Sequence, residues 1–322
     1  MLSLPDFKEK QIIVALLSHG EKMSFKNDNI VIHDLDGTIK HQSTCYRLFT
    51  LFIVGHITVT TGLLQRAKKF GFSIFFLSHS LSPYGNWLSG TQGNVILRRK
   101  QYAYNDTSIA QHIVKNKIEQ QIGILNKRRD KSDKLIEALI LLHDYSDRLP
   151  NKSFDFQMVL GIEGVASRIY FEQMFGEIGW NSRKPRAKRD IVNLLLDIGY
   201  TLLFNLVDAM LNLYGFDTYQ GVYHREFYQR KSLVCDIVEP FRPIIDKTIY
   251  KAYRLGRINE SDFDFIDDQY RIFGKKSQPY VSFLLNGLLD YKEDMFLYVQ
   301  SYYRAFMREK PIEYYPVFRI VK

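Results

Sequence analysis

The sequence predicts an α+β fold, with a small β-rich N-terminal domain followed by a larger all-α domain that carries the chemistry. Three observations predict it. Short β-type runs separated by turn residues dominate the first 85 residues. From residue 95 onward apolar residues recur at i, i+3/i+4 and i+7, the period of helices packed on a core. The 322 residues also exceed the roughly 250–300 that one hydrophobic core usually organises. The expected division is a β-rich domain over 1–85, a linker at 86–95 and a helical domain over 96–322.

The runs 11–17 (QIIVALL), 22–26 (KMSFK), 29–33 (NIVIH), 51–54 (LFIV), 57–60 (ITVT) and 72–77 (FSIFFL) predict strands. Asn27-Asp28-Asn29 and Asp34-Leu35-Asp36-Gly37 supply turn chemistry between them. Leu63, Leu64 and Ala67 predict a helix over 61–70, and the Gly-, Ser-, Pro- and Asn-rich stretch 82–94 predicts a loop. Helices are expected at 96–126, 132–147, 154–176, 187–214, 232–254 and 278–307. Pro240 and Pro243 should kink the fifth of these, with Glu239 at the bend.

Composition excludes several classes. A hydrophobic fraction of 46% excludes disorder and collagen-like repeats. Two cysteines, Cys45 and Cys235, exclude a disulfide framework and a Cys-based zinc site, and they fit a reducing cytoplasm. The opening MLSLPDFKEKQ carries Asp6 and Glu9 and reads as no targeting signal. Residues 46–64 hold Arg47 and His56, and 191–215 hold Asp197, Asn205 and Asp208. The second stretch therefore reads as a buried helix of a large core, and a soluble cytoplasmic protein with no membrane partner is expected.

The net charge is +9 and the pI about 9.2. Residues 98–131 carry nine basic against three acidic residues, and 182–190 carry five against one. Either run reads by itself as a solvated face. Together, flanking the acidic residues described next, they read as a nucleic-acid surface. The candidate DNA-binding residues are Arg98, Arg99, Lys115 and Lys117, with Arg183, Lys184, Arg186, Lys188 and Arg189.

Residues 30–39, IVIHDLDGTI, resemble the first motif of haloacid-dehalogenase-type phosphatases. Under that reading Asp34 is the nucleophile and Asp36 the general acid/base, with Mg²⁺ between them. That fold needs helices alternating with strands after the motif. Further strands are expected here instead, and Asp267-Asp268 lies in a region read as all-helical. The competing reading, a hairpin turn, is the one preferred.

Glu163 lies inside GIEGVASRIYF (161–171), where Ser167 and Tyr170 share its helical face. A buried carboxylate in such a helix is either salt-bridged or bound to a metal. His224 ends GVYH, and Asp236 and Glu239 lie three apart in SLVCDIVEPFRPIID (232–246). On one straight helix His224 and Glu239 would stand about 22 Å apart, so sharing a metal requires a fold-back before Ser232. One imidazole with two or three carboxylates suits Mg²⁺ or Mn²⁺. A satisfied core histidine is the alternative for His224.

At this point the sequence resembles the CRISPR-associated endonuclease/integrase family, Cas one, of spacer acquisition. The resemblance rests on GHITVTTGLL (55–64), RRKQY (98–102), AQHIVKNKIEQQ (110–121), GIEGVASRIYF, RKPRAKRDIVNLLLDIGYTLL (183–203), GVYH and SLVCDIVEPFRPIID, all in the family's order. It implies catalytic and metal-binding roles for Glu163, His224 and Glu239, with Asp236 as a further acidic position at or near the metal. Tyr170 and Arg242 lie near these ligands and could hold phosphate oxygens. Arg225-Glu226 is a more charged pair than the family pattern. The resemblance further implies Mg²⁺ or Mn²⁺ as cofactor and a homodimer formed by the β-rich domain. The implied partners are double-stranded DNA (spacer precursor and CRISPR repeat) and the small adaptation protein Cas two, in a higher-order complex. The implied reaction is insertion of short DNA fragments by 3′-hydroxyl attack at the leader–repeat junction. A phosphatase using Asp34 and Asp36, or a non-catalytic DNA-binding scaffold, are the rival classes.

Overall fold

The computed structural model describes residues 2–320 apart from 19, 56, 92, 130, 179, 181, 225 and 226. After a short helix α1 (Leu4–Lys8), the chain builds two sheets. The first has the order β1 (Gln11–Leu16), β5 (Leu48–Val54), β6 (Ser73–Leu77), β7 (Pro83–Trp87). Its first three strands are parallel, and β7 is an antiparallel edge. The second sheet is antiparallel, with β2 (Lys22–Lys26), β3 (Asn29–His33) and β4 (Ile39–Thr44). Helix α2 (Thr61–Phe70) connects β5 to β6 and ends at Gly71, which takes the left-handed conformation at φ +71°.

All seven residues of β5 (LFTLFIV) are buried, as a strand covered on both faces must be. Its side chains alternate between two cores. Leu48, Leu51 and Ile53 join Ile30, Ile32, Leu63 and Ile74 beneath α2. Phe49, Phe52 and Val54 face the other way, into the apolar core shared with the helices. Phe52 stacks on its register partner Phe75 with ring centroids 5.3 Å apart.

Several expectations change, and one strand was not expected. Residues 57–60 form no strand, because β-type composition without a paired neighbour does not make one. The stretch 82–94 is a loop only after β7, whose Pro83 sits at the start of an exposed edge where no N–H is needed. Strand β4 (IKHQST) lacks an alternating pattern, yet it pairs along β3. Asp267-Asp268 lies in no helical region: both residues are left-handed, at φ 52° and 58°, and close a hairpin of β8 (Asp264–Ile266) and β9 (Gln269–Arg271).

Asp34–Gly37 is the β3–β4 turn. Gly37 N–H donates to Asp34 O at 2.9 Å, Gly37 sits at φ +78°, and Asp34 N–H donates to Thr38 O at 2.9 Å. Asp34 and Asp36 are exposed at the end of an antiparallel sheet. A phosphatase nucleophile would need the end of a parallel strand in a doubly wound sheet, so that alternative falls.

The helices are α3 (Val95–Ala103), α4 (Ser108–Asn126), α5 (Asp133–Asp147), α6 (Phe156–Phe175), α7 (Ile191–Asn212), α8 (Ser232–Val238), α9 (Arg242–Arg254), α10 (Ser277–Leu289) and α11 (Lys292–Met307). The expected helix 96–126 breaks at residues 104–107, where Asp106 Oδ1 accepts from Ser108 N–H at 2.7 Å and restarts the chain as α4. The expected helix 278–307 likewise divides at Asp290-Tyr291. Between α8 and α9 a 3₁₀ turn spans Glu239–Phe241, because Pro240 and Pro243 remove two helical donors. Helix α7 is long and apolar enough to cross a membrane, but 78% of that stretch is buried in this core, as its Asp and Asn residues led us to expect.

Helix α4 is central. It packs against α5, α6, α9 and the 239–241 turn. One of its faces holds the C-terminal tail: Asn116 exchanges two hydrogen bonds with the Phe318 backbone at 2.9 and 2.8 Å, and Gln120 Oε1 accepts from Ile320 N–H at 2.8 Å. The adjoining face turns Lys117 and Gln121 toward α6 and α9, where they line a cavity. Gly199 lets α7 approach α9 closely, since a Cβ there would stand 2.5 Å from Ile245 Cγ2.

Candidate functional site

The cavity between α4, α6, α7 and α9 has a volume of about 610 Å³. Glu163 enters it from α6, with its Oε1 accepting from Ser167 Oγ at 2.9 Å, one turn on as the helical period requires. Glu239 enters from the 3₁₀ turn, so the double-proline break aims this carboxylate. Both carboxylates meet the buried ammonium of Lys117. It donates to Glu163 Oε1 and stands 2.7 Å from Glu239 Oε2. That second contact is ionic and off hydrogen-bond geometry, so among the described residues Glu239 Oε2 has no hydrogen-bond partner. Arg242 Nε holds the other oxygen of Glu239 at 2.9 Å.

His224 is placed by a different device. The segment 221–224 folds back along α8, and Asp236, fully buried on α8, accepts four hydrogen bonds from it. Its Oδ2 takes Val222 N–H at 2.7 Å and Tyr223 N–H at 3.0 Å, while its Oδ1 takes His224 N–H at 2.8 Å and the ring Nδ1 at 2.7 Å. A carboxylate with three other donors can only accept, so Nδ1 carries a proton and Nε2 is the ring nitrogen left to a ligand. Asp236 is thereby spent on orientation, whereas the sequence left it open as a further ligand.

Burial and charge act on these groups in opposite directions. Burial pushes the Glu239 carboxyl up, but Arg242, Lys117 and His224 together outweigh it and hold it at about 2. Burial likewise pushes the Lys117 ammonium down, and Glu163 and Glu239 more than reverse that. Asp246, in the same cavity, accepts from Tyr200 OH at 2.5 Å, and its burial raises it to about 6 despite Tyr200, Lys117 and Arg242. Tyr223 OH, buried without a hydrogen-bond partner among the described residues, is pushed up by burial and by Glu163, Glu239 and Asp236 around it.

The basic residues divide. Lys117, expected among the DNA-binding residues, is 6% exposed and paired with Glu163 and Glu239. Lys115 donates to Leu149 O at 3.2 Å and Arg98 to Gly215 O at 3.3 Å, both half-buried. Arg99 is exposed. Arg183 lines the cavity while bonded to Asn193 at 2.8 Å and Asp197 at 2.5 Å. Lys184 and Arg186 are exposed, Lys188 is half-buried, and exposed Arg189 pairs with Asp268 at 3.0 Å. Tyr170 is buried, its hydroxyl beside Asp246 rather than at a phosphate position. Arg242 faces the cavity and lies 4.7 Å from the Tyr200 ring centroid. Arg225-Glu226 lies outside the described residues.

Sequence reasoning missed Tyr200, Asp246, Arg168 and Gln121, all lining the cavity. The signal available was Lys117 and Gln121 four apart on one helix, polar residues repeating at the period of a buried face.

Among the described residues, no group of three or more His, Cys, Asp or Glu side chains is close enough to hold a metal. The donor chemistry nevertheless fits a hard divalent cation. Two carboxylates from separate elements already converge on one positive charge, and Asp236 presents His224 in the tautomer a metal would take.

The family described as CRISPR associated protein Cas1 matches residues 14–281 of the chain. The chain is similar to a CRISPR-associated endonuclease Cas1 of Thermodesulfovibrio yellowstonii, 30% identical over 242 residues, which are 70% of this chain and 74% of that protein. Its fold is similar to that of a longer chain in a Cas6-RT-Cas1–Cas2 complex, with a TM-score of 0.82 at 22% identity, over 98% of this chain and 36% of the other. It is also similar to a casposase bound to integration product, with a TM-score of 0.75 at 20% identity, over 96% of each chain.

Proposed function

This chain belongs to the CRISPR-associated Cas1 family, and on that premise we propose that it is the metal-dependent DNA endonuclease and integrase of CRISPR adaptation. The observation that carries this reading is the meeting of Glu163 and Glu239 on one positive charge, in a cavity also lined by Arg168, Arg183 and Arg242. The reaction is phosphoryl transfer. The 3′-hydroxyl of a short DNA fragment attacks a phosphodiester at the leader–repeat junction, one ester bond forming as another breaks, so no nucleotide hydrolysis is needed.

Mg²⁺ or Mn²⁺ held by Glu163, Glu239 and His224 would polarise the scissile phosphate and stabilise charge on its oxygens. The chain supplies everything around that. Asp236 locks the His224 ring with Nδ1 protonated. Arg242 fixes the Glu239 carboxylate and, with Arg168 and Arg183, makes the cavity attractive to phosphate. Ser167 Oγ is occupied as a donor to Glu163, which fits a nucleophile brought by DNA.

Under this reading residues 1–85 form the dimerising domain, 86–95 the linker and 96–322 the catalytic domain. The partners are double-stranded DNA and Cas2, as the composition of the neighbouring Cas1–Cas2 complex supports. A gel assay tests it: Mn²⁺-dependent joining of a 3′-hydroxyl oligonucleotide to a repeat-containing plasmid. Glu163→Ala or His224→Ala should abolish joining and keep most DNA binding, and Asp34→Asn should change neither. Full joining by either of the first two variants overturns the assignment, and DNA binding without joining by the unaltered protein would make it a scaffold.

A further inference from the structure

A lysine 6% exposed needs its charge balanced, and Lys117 finds that balance on Glu163 and Glu239 themselves. These are the two carboxylates assigned above to the metal, so the inference rests on that assignment. An ammonium touching both carboxylates and a divalent cation on the same oxygens would repel one another at close range with little water between them. One must leave for the other to enter.

The cavity offers the ammonium somewhere to go. Gln121 follows Lys117 by one turn of α4 and lines the same cavity; it is 1% exposed, and its Oε1 has no hydrogen-bond partner among the described residues. Asp246 lines the cavity as well, already within electrostatic reach of Lys117. Four methylenes let a lysine head swing between such positions while its stem stays packed.

We propose that Lys117 is the resident counter-ion of the metal seat: its ammonium holds Glu163 and Glu239 together in the metal-free protein, and a divalent cation binds there only by displacing it toward Gln121 and Asp246. Lys117 is thus a positioning residue that keeps two like charges in place and sets the metal affinity.

Mn²⁺ titration of the full chain without DNA, followed by calorimetry, tests this without any need for activity. Lys117→Met removes the competitor and should bind Mn²⁺ at least about ten-fold tighter than the unaltered protein. Lys117→Arg keeps the charge with a bulkier head and should bind at least about ten-fold more weakly. Equal or weaker binding by folded Lys117→Met overturns the proposal and leaves the metal assignment standing. Absence of saturable Mn²⁺ binding by both the unaltered protein and Lys117→Met overturns that assignment as well. Should Lys117→Met fold only when Mn²⁺ is added, as circular dichroism would show, the ion has replaced the ammonium, as proposed. Should it fail to fold at all, Lys117→Arg decides: weaker binding supports displacement and unchanged binding overturns it.

Discussion

Asp236 Oδ1 lies 2.7 Å from His224 Nδ1 and accepts the backbone N–H of the same residue at 2.8 Å. Ring and backbone of one histidine are thus fixed by one oxygen, while the other oxygen fixes Val222 and Tyr223. Asp236→Asn replaces one acceptor by a donor facing donors. We expect joining activity to fall about 10–100-fold, the usual cost of disturbing the partner of a metal-directed histidine. Asp236→Ala should in addition lower stability by about 2–4 kcal/mol, because four donors, those of Val222 and Tyr223 buried and the two of His224 half-buried, are left without an acceptor. Denaturant melts and a joining assay separate the two effects, and an unchanged melt for Asp236→Ala would contradict the network.

The same network explains Gly221. A Cβ at this position would stand 2.6 Å from His224 O, 2.8 Å from Asp236 Oδ2 and 2.8 Å from Ser232 Cβ. Two of these atoms belong to groups that cannot swing aside. Gly221→Ala should therefore cost about 1–3 kcal/mol and reduce joining more than it reduces DNA affinity. Gly161→Ala is the control: beyond its chain neighbours and its own helix backbone, no atom of the described residues lies within 4 Å of its Cβ position, and its stability should be unchanged or slightly higher.

How much of this was legible follows from which interactions are local. Strands β2 and β3 and helix α2 lie where predicted, because period and turn residues sit within each segment. Strand β4 is polar and mostly exposed, and only its pairing with β3 makes it a strand. Glu163 and Glu239 stood out as carboxylates in apolar surroundings, which demand a partner. Lys117 could not be read the same way. Whether a lysine in a basic run faces water or a carboxylate depends on what two other helices place opposite it, and spacing along α4 carries no such information.

Asp246 gives a pH dependence of definite sign. Its carboxyl is raised from the usual 3.8 to about 6 by burial, so between these values the folded protein binds more protons than the unfolded chain. The contribution of Asp246 to the stability of the metal-free protein should fall as pH rises from about 4 to about 6 and change no further above that. Asp246→Asn should flatten this segment and raise stability at pH 7 by an amount on the order of 1–3 kcal/mol. Thermal melts from pH 4 to 8 measure it, and a profile in the variant as steep as in the unaltered protein would contradict it.

Two helices carry positive charge away from the carboxylates in the same direction. Ten residues of α4 separate Lys117 from Lys127 and twelve of α9 separate Arg242 from Arg254, about 15 and 18 Å at 1.5 Å per residue. At that far end Lys127, Arg129, Lys251 and Arg254 are exposed around a floor that includes Ile124, Met174 and Tyr250. Arg128 is already spent on Glu177 and Gln173 O, and Lys247 donates to Tyr291 OH at 3.1 Å. The four exposed cations form no ion pair among the described residues, so they are free to take DNA phosphates lying beyond the scissile one. Reversing all four to Glu should weaken duplex binding more than about ten-fold at 0.1 M salt, and should reduce the slope of log affinity against log salt by about 0.9 for each phosphate that is no longer neutralised. Fluorescence anisotropy across a salt series reads both quantities. An unaltered slope would place the DNA path elsewhere, along Lys184 and Arg186, where the same reversal then becomes the informative variant.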